Sequence, residues 1–188
     1  VPAGRGNRRA VLHHFGPVDG IPDGRFRGVS KASDGALWIA SERAGLLRFD
    51  RKSFTYFDAP TDQSPLSIKS VTLDHRDNVW VTADQDDHEG KLLRFDGESF
   101  VQYAPKQGPK LVKRKVIPDS DNKLWVRDDE FIYRNDEDAF TKIFKKKFGH
   151  PMRTLAVESA SRVWVATPTE LIRLDAPDDA GSTELWHE

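Results

Sequence analysis

Four basic residues recur at one position of a repeating pattern, and they have the clearest capacity for binding chemistry. Each stands eleven residues before a tryptophan; the four are Arg27, Lys69, Arg114 and Arg153. Cations gathered at one end of a fold attract anionic groups. Long basic side chains also cover polar strand ends and reach out to water, so a structural role stays open. The spacing predicts a partial cationic ring that contacts an anionic ligand.

An acidic loop after Trp80 is the second candidate. It contains Asp84, Asp86, Asp87 and His88, and it is the longest of the loops predicted between the second and third strands of a repeat. Loops on rigid scaffolds often carry function, and these side chains could hydrogen-bond a ligand. A hard cation such as calcium would also suit their oxygens, but the spacing is not that of an EF-hand. A solvated loop is the remaining alternative. We predict ligand contact here, with no metal and no cofactor.

Sequence signatures of catalysis are missing. The six histidines are scattered and none falls in a His-x-x-x-His or His-Glu-x-x-His spacing. No serine or carboxylate lies in a nucleophile elbow, and the chain has no cysteine. The sequence therefore predicts a protein without enzymatic activity.

Composition narrows the class of protein further. The chain has 188 residues, of which 37% are hydrophobic and 31% charged, with a formal net charge of −1. That balance gives no electrostatic reason to bind nucleic acid or a membrane surface. No apolar run approaches the roughly 18 residues of a membrane span. The chain begins at Val1 without an apolar leader, from which we expect a processed product or an excised piece.

Four tryptophans reveal an internal repeat. Trp38, Trp80, Trp125 and Trp164 are separated by 42, 45 and 39 residues, and each lies in a short run of aliphatic residues. Tight-turn residues precede the first three, and further alternating runs lie on both sides. Each repeat therefore predicts four short strands, as in a β-propeller blade. The predicted blades cover residues 24–62, 66–105, 111–145 and 151–188, and the tryptophans are expected to pack between them.

The basic column, meaning the four basic residues named first, then lies near the starts of the innermost strands. A second set of arginines lies on the third strands, where hydrogen bonds or ion pairs between blades are the expected role. These are Arg48, Arg94, Arg134 and Arg173.

The N-terminal segment predicts one more strand. Residues 8–16 resemble the outer strand of a preceding blade, because Phe15 stands as far from Phe26 as Phe57 stands from Ile68. An all-β segment of a larger propeller is therefore favoured. A closed four-blade ring, and a ring completed by self-association, stay open.

Two repeats carry a family resemblance. They read FRGVSKASDGALWIASERAGLLRFD and IKSVTLDHRDNVWVTADQDDHEGKLLRFD, and this pattern resembles the two-component regulator propeller repeat over about residues 8–176. The third repeat lacks the Gly-Leu pair, and the fourth lacks the Asp-Gly turn before its tryptophan.

The resemblance implies a sensor module from a membrane-bound bacterial regulator, often a hybrid histidine kinase. Such a module is periplasmic or extracellular, binds a carbohydrate or another small ligand, and passes the signal to an output domain in the same full-length chain. We expect attachment to the membrane only through a transmembrane segment, which is absent from this chain. The family has no general catalytic residues to transfer. The alternatives are a propeller enzyme similar to streptogramin lyase, or a scaffold that binds other proteins.

Overall fold

The computed structural model describes residues 12–57, 67–84, 90–103, 109, 115–128, 130–136, 139–145 and 149–175. These residues form fifteen β-strands and one short 3-10 turn at Pro17–Asp19, and no α-helix is found among them. The strands are β1 (Phe26–Lys31), β2 (Leu37–Ser41), β3 (Gly45–Phe49), β4 (Phe54–Phe57), β5 (Ser67–Leu73), β6 (Val79–Asp84), β7 (Gly90–Phe95), β8 (Phe100–Tyr103), β9 (Ile117–Pro118), β10 (Leu124–Arg127), β11 (Phe131–Asp136), β12 (Ala139–Lys145), β13 (Thr154–Ser159), β14 (Arg162–Ala166) and β15 (Leu171–Asp175).

Consecutive strands pair antiparallel into four sheets. Three described sheets have four strands, β1 to β4, β5 to β8 and β9 to β12, and the fourth contains β13 to β15. The sheets are the blades of a β-propeller, so the predicted fold class is confirmed. Residues 1–11 and the segments that connect successive sheets lie wholly or partly outside the described residues, as does the strand predicted at 183–187. The predicted blade boundaries therefore stay predictions, as does the N-terminal strand, of which the described residues 12–16 are assigned to no strand.

Second strands such as β2 and β6 have apolar side chains on both sides. A strand with one wet face would alternate apolar and polar residues, whereas these runs read Leu-Trp-Ile-Ala and Val-Trp-Val-Thr. On one face of β6 Val81 and Ala83 are fully buried, and on the other face Thr82 is 1% exposed. The sequence thus requires each blade to be covered on both faces.

Face-to-face packing provides that cover at three blade–blade joints. Trp38, Ala40 and Leu46 of the first blade form one apolar cluster with residues of the second. The Trp38 ring lies 5.6 Å from the Phe95 ring across that joint. Similar clusters join the second blade to the third and the third to the fourth. Trp38, Trp80 and Trp125 are packing residues in these joints, as their spacing predicts, whereas Trp164 belongs to none of the three clusters.

A carboxylate six residues before the tryptophan fixes its indole in three blades. The indole N–H of Trp80 donates to Asp74 at 3.1 Å, and that of Trp125 donates to Asp119 at 2.8 Å. The indole N–H of Trp164 donates to Glu158. Asp119 also accepts backbone N–H groups at 2.9 Å from the turn between the first two strands. One buried side chain therefore sets both the turn and the ring.

The same carboxylate carries a shifted pKa in the second blade. Burial alone raises the pKa of Asp74, but hydrogen bonds from Asn78, Trp80 and two backbone N–H groups outweigh burial and lower it. The first blade has Ala32 at this position. There the carboxylate of Asp34 accepts the Ala36 backbone N–H instead.

Hydrogen bonds between neighbouring turns add polar contacts to two joints. The backbone N–H of Ser33 donates to Asp77 of the next blade at 3.1 Å, and the N–H of His75 donates to Asn122 at 3.0 Å. Asp77 and Asn122 are left-handed, with φ of 58° and 62°, and the equivalent residue of the first blade is Gly35 at 84°. The left-handed residue of the second turn is thus Asp77.

We predict that Asp119→Ala destabilises the protein by about 2 to 3 kcal/mol, since it leaves the buried Trp125 indole and two turn N–H groups without an acceptor. Urea unfolding followed by tryptophan fluorescence measures the loss. Glu158→Ala is the matched control because the Glu158 side chain is 46% exposed, and its effect should stay within about 0.5 kcal/mol. Equal losses in the two variants would contradict the anchoring role.

Candidate functional site

The described members of the basic column, Arg27, Lys69 and Arg153, lie at one end of the propeller, where second strands end and the loops to third strands begin. The Glu42 N–H donates to the Arg25 carbonyl at 3.0 Å, and the Arg153 N–H donates to the Ala166 carbonyl at 2.8 Å. Residues that follow β2 and β14 are therefore next to residues that begin β1 and β13. We call this end the loop face.

Glu42 joins two members of the basic column across the first joint. Its Oε1 atom lies 2.6 Å from Nη2 of Arg27 and 2.8 Å from Nζ of Lys69. Lys69 also lies 3.8 Å from Oδ2 of Asp84. The result is a row of ion pairs whose charges alternate from Arg27 to Asp84. Arg27 and Lys69 therefore already have carboxylate partners.

The hydrogen bonds in this row of ion pairs set the pKa of Glu42. Bonds from Lys69 and then Arg27 lower the pKa of Glu42 from its usual 4.5 to about 2. The Glu42 side chain is only 14% exposed. It therefore stays ionised at physiological pH and holds the first two blades together at the loop face.

Sequence reasoning named Asp84 as a ligand contact but missed the acidic column to which it belongs, although the repeat contains the signal of that column. The position four residues after each tryptophan is acidic in three blades, and it is Pro168 in the fourth. The three acids are Glu42, Asp84 and Asp129. Pairing of opposite columns in neighbouring strands is a common reason for such matched charges. Asp129 lies outside the described residues.

A second arrangement lies where the third blade meets the fourth. The inner strands border an open pocket of about 160 Å³. Its described lining is Lys115, Ile117, Arg127, Arg153, Thr154 and Leu155. Three cations and one hydroxyl thus surround a small apolar base.

Two of these cations have no acidic partner among the residues that the structure describes. In the described parts of the chain, neither Lys115 nor Arg153 has a carboxylate within ion-pair distance, and both residues are exposed. Pro168 stands where the acid that would face Arg153 is found in other blades. Arg127 is positioned by the Arg153 carbonyl, to which its guanidinium donates.

Arg127 also departs from the repeat in a way that the sequence shows. The residue two positions after the tryptophan is Ala40, Thr82 and Ala166 in the other blades. A long cation replaces a small side chain only in the third blade. This substitution, together with Pro168, is the sequence signal that would have located the pocket.

The remaining predicted site residues are distributed as follows. Lys69, Arg27 and Arg153 lie on the loop face, and Asp84 lies at the end of β6, where its Oδ1 atom is buried with no hydrogen-bond partner among the described residues. Outside the described residues are Arg114, Asp86, Asp87 and His88. Their contact with a ligand stays a prediction.

Three of the four arginines of the third strands, Arg48, Arg134 and Arg173, lie over the tryptophans of their own blades. The guanidinium carbon of Arg134 is 5.4 Å from the Trp125 ring centroid, and that of Arg173 is 6.0 Å from Trp164. Arg134 also donates to the Ala160 carbonyl of the next blade at 3.0 Å. Their role is structural, and Arg134 makes the expected link between blades.

The described residues contain neither a cluster of metal ligands nor a membrane-spanning helix. Among those residues, no group of three or more His, Asp or Glu is placed to hold a metal ion. None of the helices that the structure describes has the length and hydropathy to cross a membrane.

Comparison with known proteins identifies relatives by structure alone. No known sequence family matches the chain, and no curated protein matches it in sequence. The extracellular domain of the hybrid two-component system BT4673 from B. thetaiotaomicron is similar, with a TM-score of 0.58 and 17% identity over 82% of this chain and 22% of that one.

Two further structures show other contexts for this fold. Virginiamycin B lyase from Staphylococcus aureus gives a TM-score of 0.62 at 14% identity, covering 86% of this chain and 55% of the lyase. PorZ, a surface component of the type-IX secretion system of Porphyromonas gingivalis, gives a TM-score of 0.61 at 15% identity. The match covers 99% of this chain and 30% of PorZ. The chain spans about half or less of each of these proteins. At such identities the similarity establishes the β-propeller fold and nothing narrower.

We predict that Glu42→Gln lowers stability near neutral pH and that the deficit shrinks as the pH falls from 4.5 towards 2. The pKa of Glu42 is lowered in the folded state, so its ionised form stabilises the fold above pH 4.5 and loses that effect on protonation. Thermal unfolding at several pH values measures the difference. Glu170→Gln, an exposed loop carboxylate, should show no such convergence; a deficit for Glu42→Gln that does not depend on pH would contradict the ion-pair role.

Proposed function

We propose that this chain is a ligand-sensing propeller module and that it binds an anionic group of a small ligand in the pocket between the third and fourth blades. The observation that carries the proposal is the set of Lys115, Arg127 and Arg153 around one cavity, of which Lys115 and Arg153 have no described acidic partner. Phosphate, sulfate and carboxylate groups are the fitting chemistry.

The geometry favours an anion over a neutral ligand alone. Like charges placed around a small cavity repel one another, and an anion removes that repulsion. The Thr154 hydroxyl can add a hydrogen bond, while Ile117 and Leu155 offer an apolar surface for a sugar ring or another carbon skeleton. An acidic carbohydrate or a sugar phosphate satisfies both parts of the lining.

Binding at this position would bridge two blades. Lys115 belongs to the third blade and Arg153 to the fourth, so a shared anion would draw the blades together at the loop face. In the proposed mechanism the resulting shift passes through the outer strands to an output domain of the full-length protein. The similarity to the extracellular domain of a two-component system protein supports this role and a periplasmic or extracellular location.

An enzymatic function is the second candidate, and the structural similarity to virginiamycin B lyase is the observation that favours it. Acid–base chemistry needs a group that exchanges a proton near the working pH, commonly His or a carboxylate. The described lining of the pocket has cations, a hydroxyl and aliphatic side chains. It fits binding better than proton transfer.

We predict that inorganic phosphate raises the melting temperature of the wild-type protein and that Lys115→Gln/Arg153→Gln abolishes the effect. Removing two of the three cations should weaken phosphate binding by roughly a hundredfold, since charge-assisted bonds contribute about 1.5 to 3 kcal/mol each. Thermal unfolding and titration calorimetry at constant ionic strength, with chloride as the reference anion, measure it.

Lys31→Gln/Lys52→Gln is the matched control, because it removes the same charge from exposed residues at the opposite end of the first blade. It should keep the phosphate response. Equal phosphate binding by both double variants, or no response to phosphate in the wild type, would overturn the proposed pocket. Metal-dependent turnover of a substrate would favour the enzymatic candidate.

A further inference from the structure

The leading face of the first blade, which would face a preceding blade, exposes apolar residues that every other blade buries. Val29 of β1 is 63% exposed. The equivalent residues, nine positions before each later tryptophan, are Val71 at 2%, Val116 at 0% and Leu155 at 7% exposed. Phe26 likewise is 48% exposed, and its equivalent Ile68 is fully buried. The repeat thus marks a surface built for contact with another blade.

The trailing face of the fourth blade, which would face a following blade, likewise exposes an apolar residue that is buried in the earlier blades. Leu171 of β15 is 69% exposed. Residues in the same register of the earlier blades are buried: Leu46 at 0%, Leu92 at 1% and Ile132 at 1%. Trp164 is half-buried, while Trp125 is fully buried in the joint to the next blade. One chain therefore presents both halves of the joint that it makes three times internally.

Phe15 shows that the leading face is partly prepared for such a joint. Its ring lies 5.1 Å from Phe49 and 5.8 Å from Phe54. In the joint between the first and second blades, Phe57 contacts Phe95 in the same way at 4.6 Å. Phe15 thus takes the place of the outer-strand aromatic residue, and the place taken by the tryptophan in the internal joint is open to a partner.

We propose that a second copy of this chain docks its fourth blade on the leading face of the first blade. Opposite faces meet in such a contact, so it is heterologous, and two copies joined at both ends close a ring of eight blades. Eight is within the usual range for propellers. Trp164 and Leu171 of one copy would contact Val29, Ile39 and Phe26 of its partner in the register of the internal joints.

The direct test is the oligomeric state of the chain by sedimentation velocity over a range of concentrations. The wild type should form a dimer. Val29→Asp and Leu171→Asp each place a carboxylate in an apolar joint, and each should weaken dimerisation by at least about a hundredfold. Both positions are exposed within one chain, so the variants should keep the wild-type circular dichroism spectrum as folded monomers.

Mixing the two variants tests the head-to-tail geometry. Val29→Asp retains an intact fourth blade, and Leu171→Asp retains an intact first blade, so the mixture should recover a dimer held by one joint. Val101→Asp is the control, since Val101 is 47% exposed on an outer strand, and it should dimerise normally. A wild type that stays monomeric at all concentrations, as a face covered within one chain would give, overturns the proposal. So does a mixture that forms no dimer.

Discussion

The structure depends on one constraint: each blade is a thin sheet with two apolar faces, and neither face is stable in water. Burying apolar area contributes about 25 cal/mol per Å², so a blade gains stability only between neighbours. The tryptophan of one blade therefore packs against the next, as Trp38 does against Phe95. The indole–carboxylate bonds, the left-handed turn residues and the links between turns all serve to hold that packing in register.

Departures from the repeat are informative because the scaffold tolerates few of them. Ala32 replaces the carboxylate that anchors the indole elsewhere. Arg127 replaces a small residue in the third blade, and Pro168 replaces an acid in the fourth. The described loop face is neutralised by ion pairs between the first two blades, whereas Arg153, which an acid at the position of Pro168 would otherwise face, has no carboxylate partner among the described residues. The packing does not require these two changes, which is why they point to a ligand.

Sequence reasoning could predict the blades because hydrophobic spacing and turn residues report local structure directly. It placed the basic column at the loop face for the same reason. It could not predict that Glu42 forms ion pairs with both Arg27 and Lys69. That pairing joins residues from two blades and depends on how the two blades are aligned with each other. The pocket also escaped it: Lys115 follows the predicted Arg114, and Arg127 belongs to a strand otherwise filled with packing residues.

The central claim is that the anion site lies between the third and fourth blades. Tungstate resembles phosphate and scatters X-rays anomalously, so a crystal of the protein grown with tungstate would locate the bound anion. The account predicts an anomalous peak bounded by Lys115, Arg127 and Arg153. A peak beside Arg27 and Lys69 with none at the pocket would contradict it.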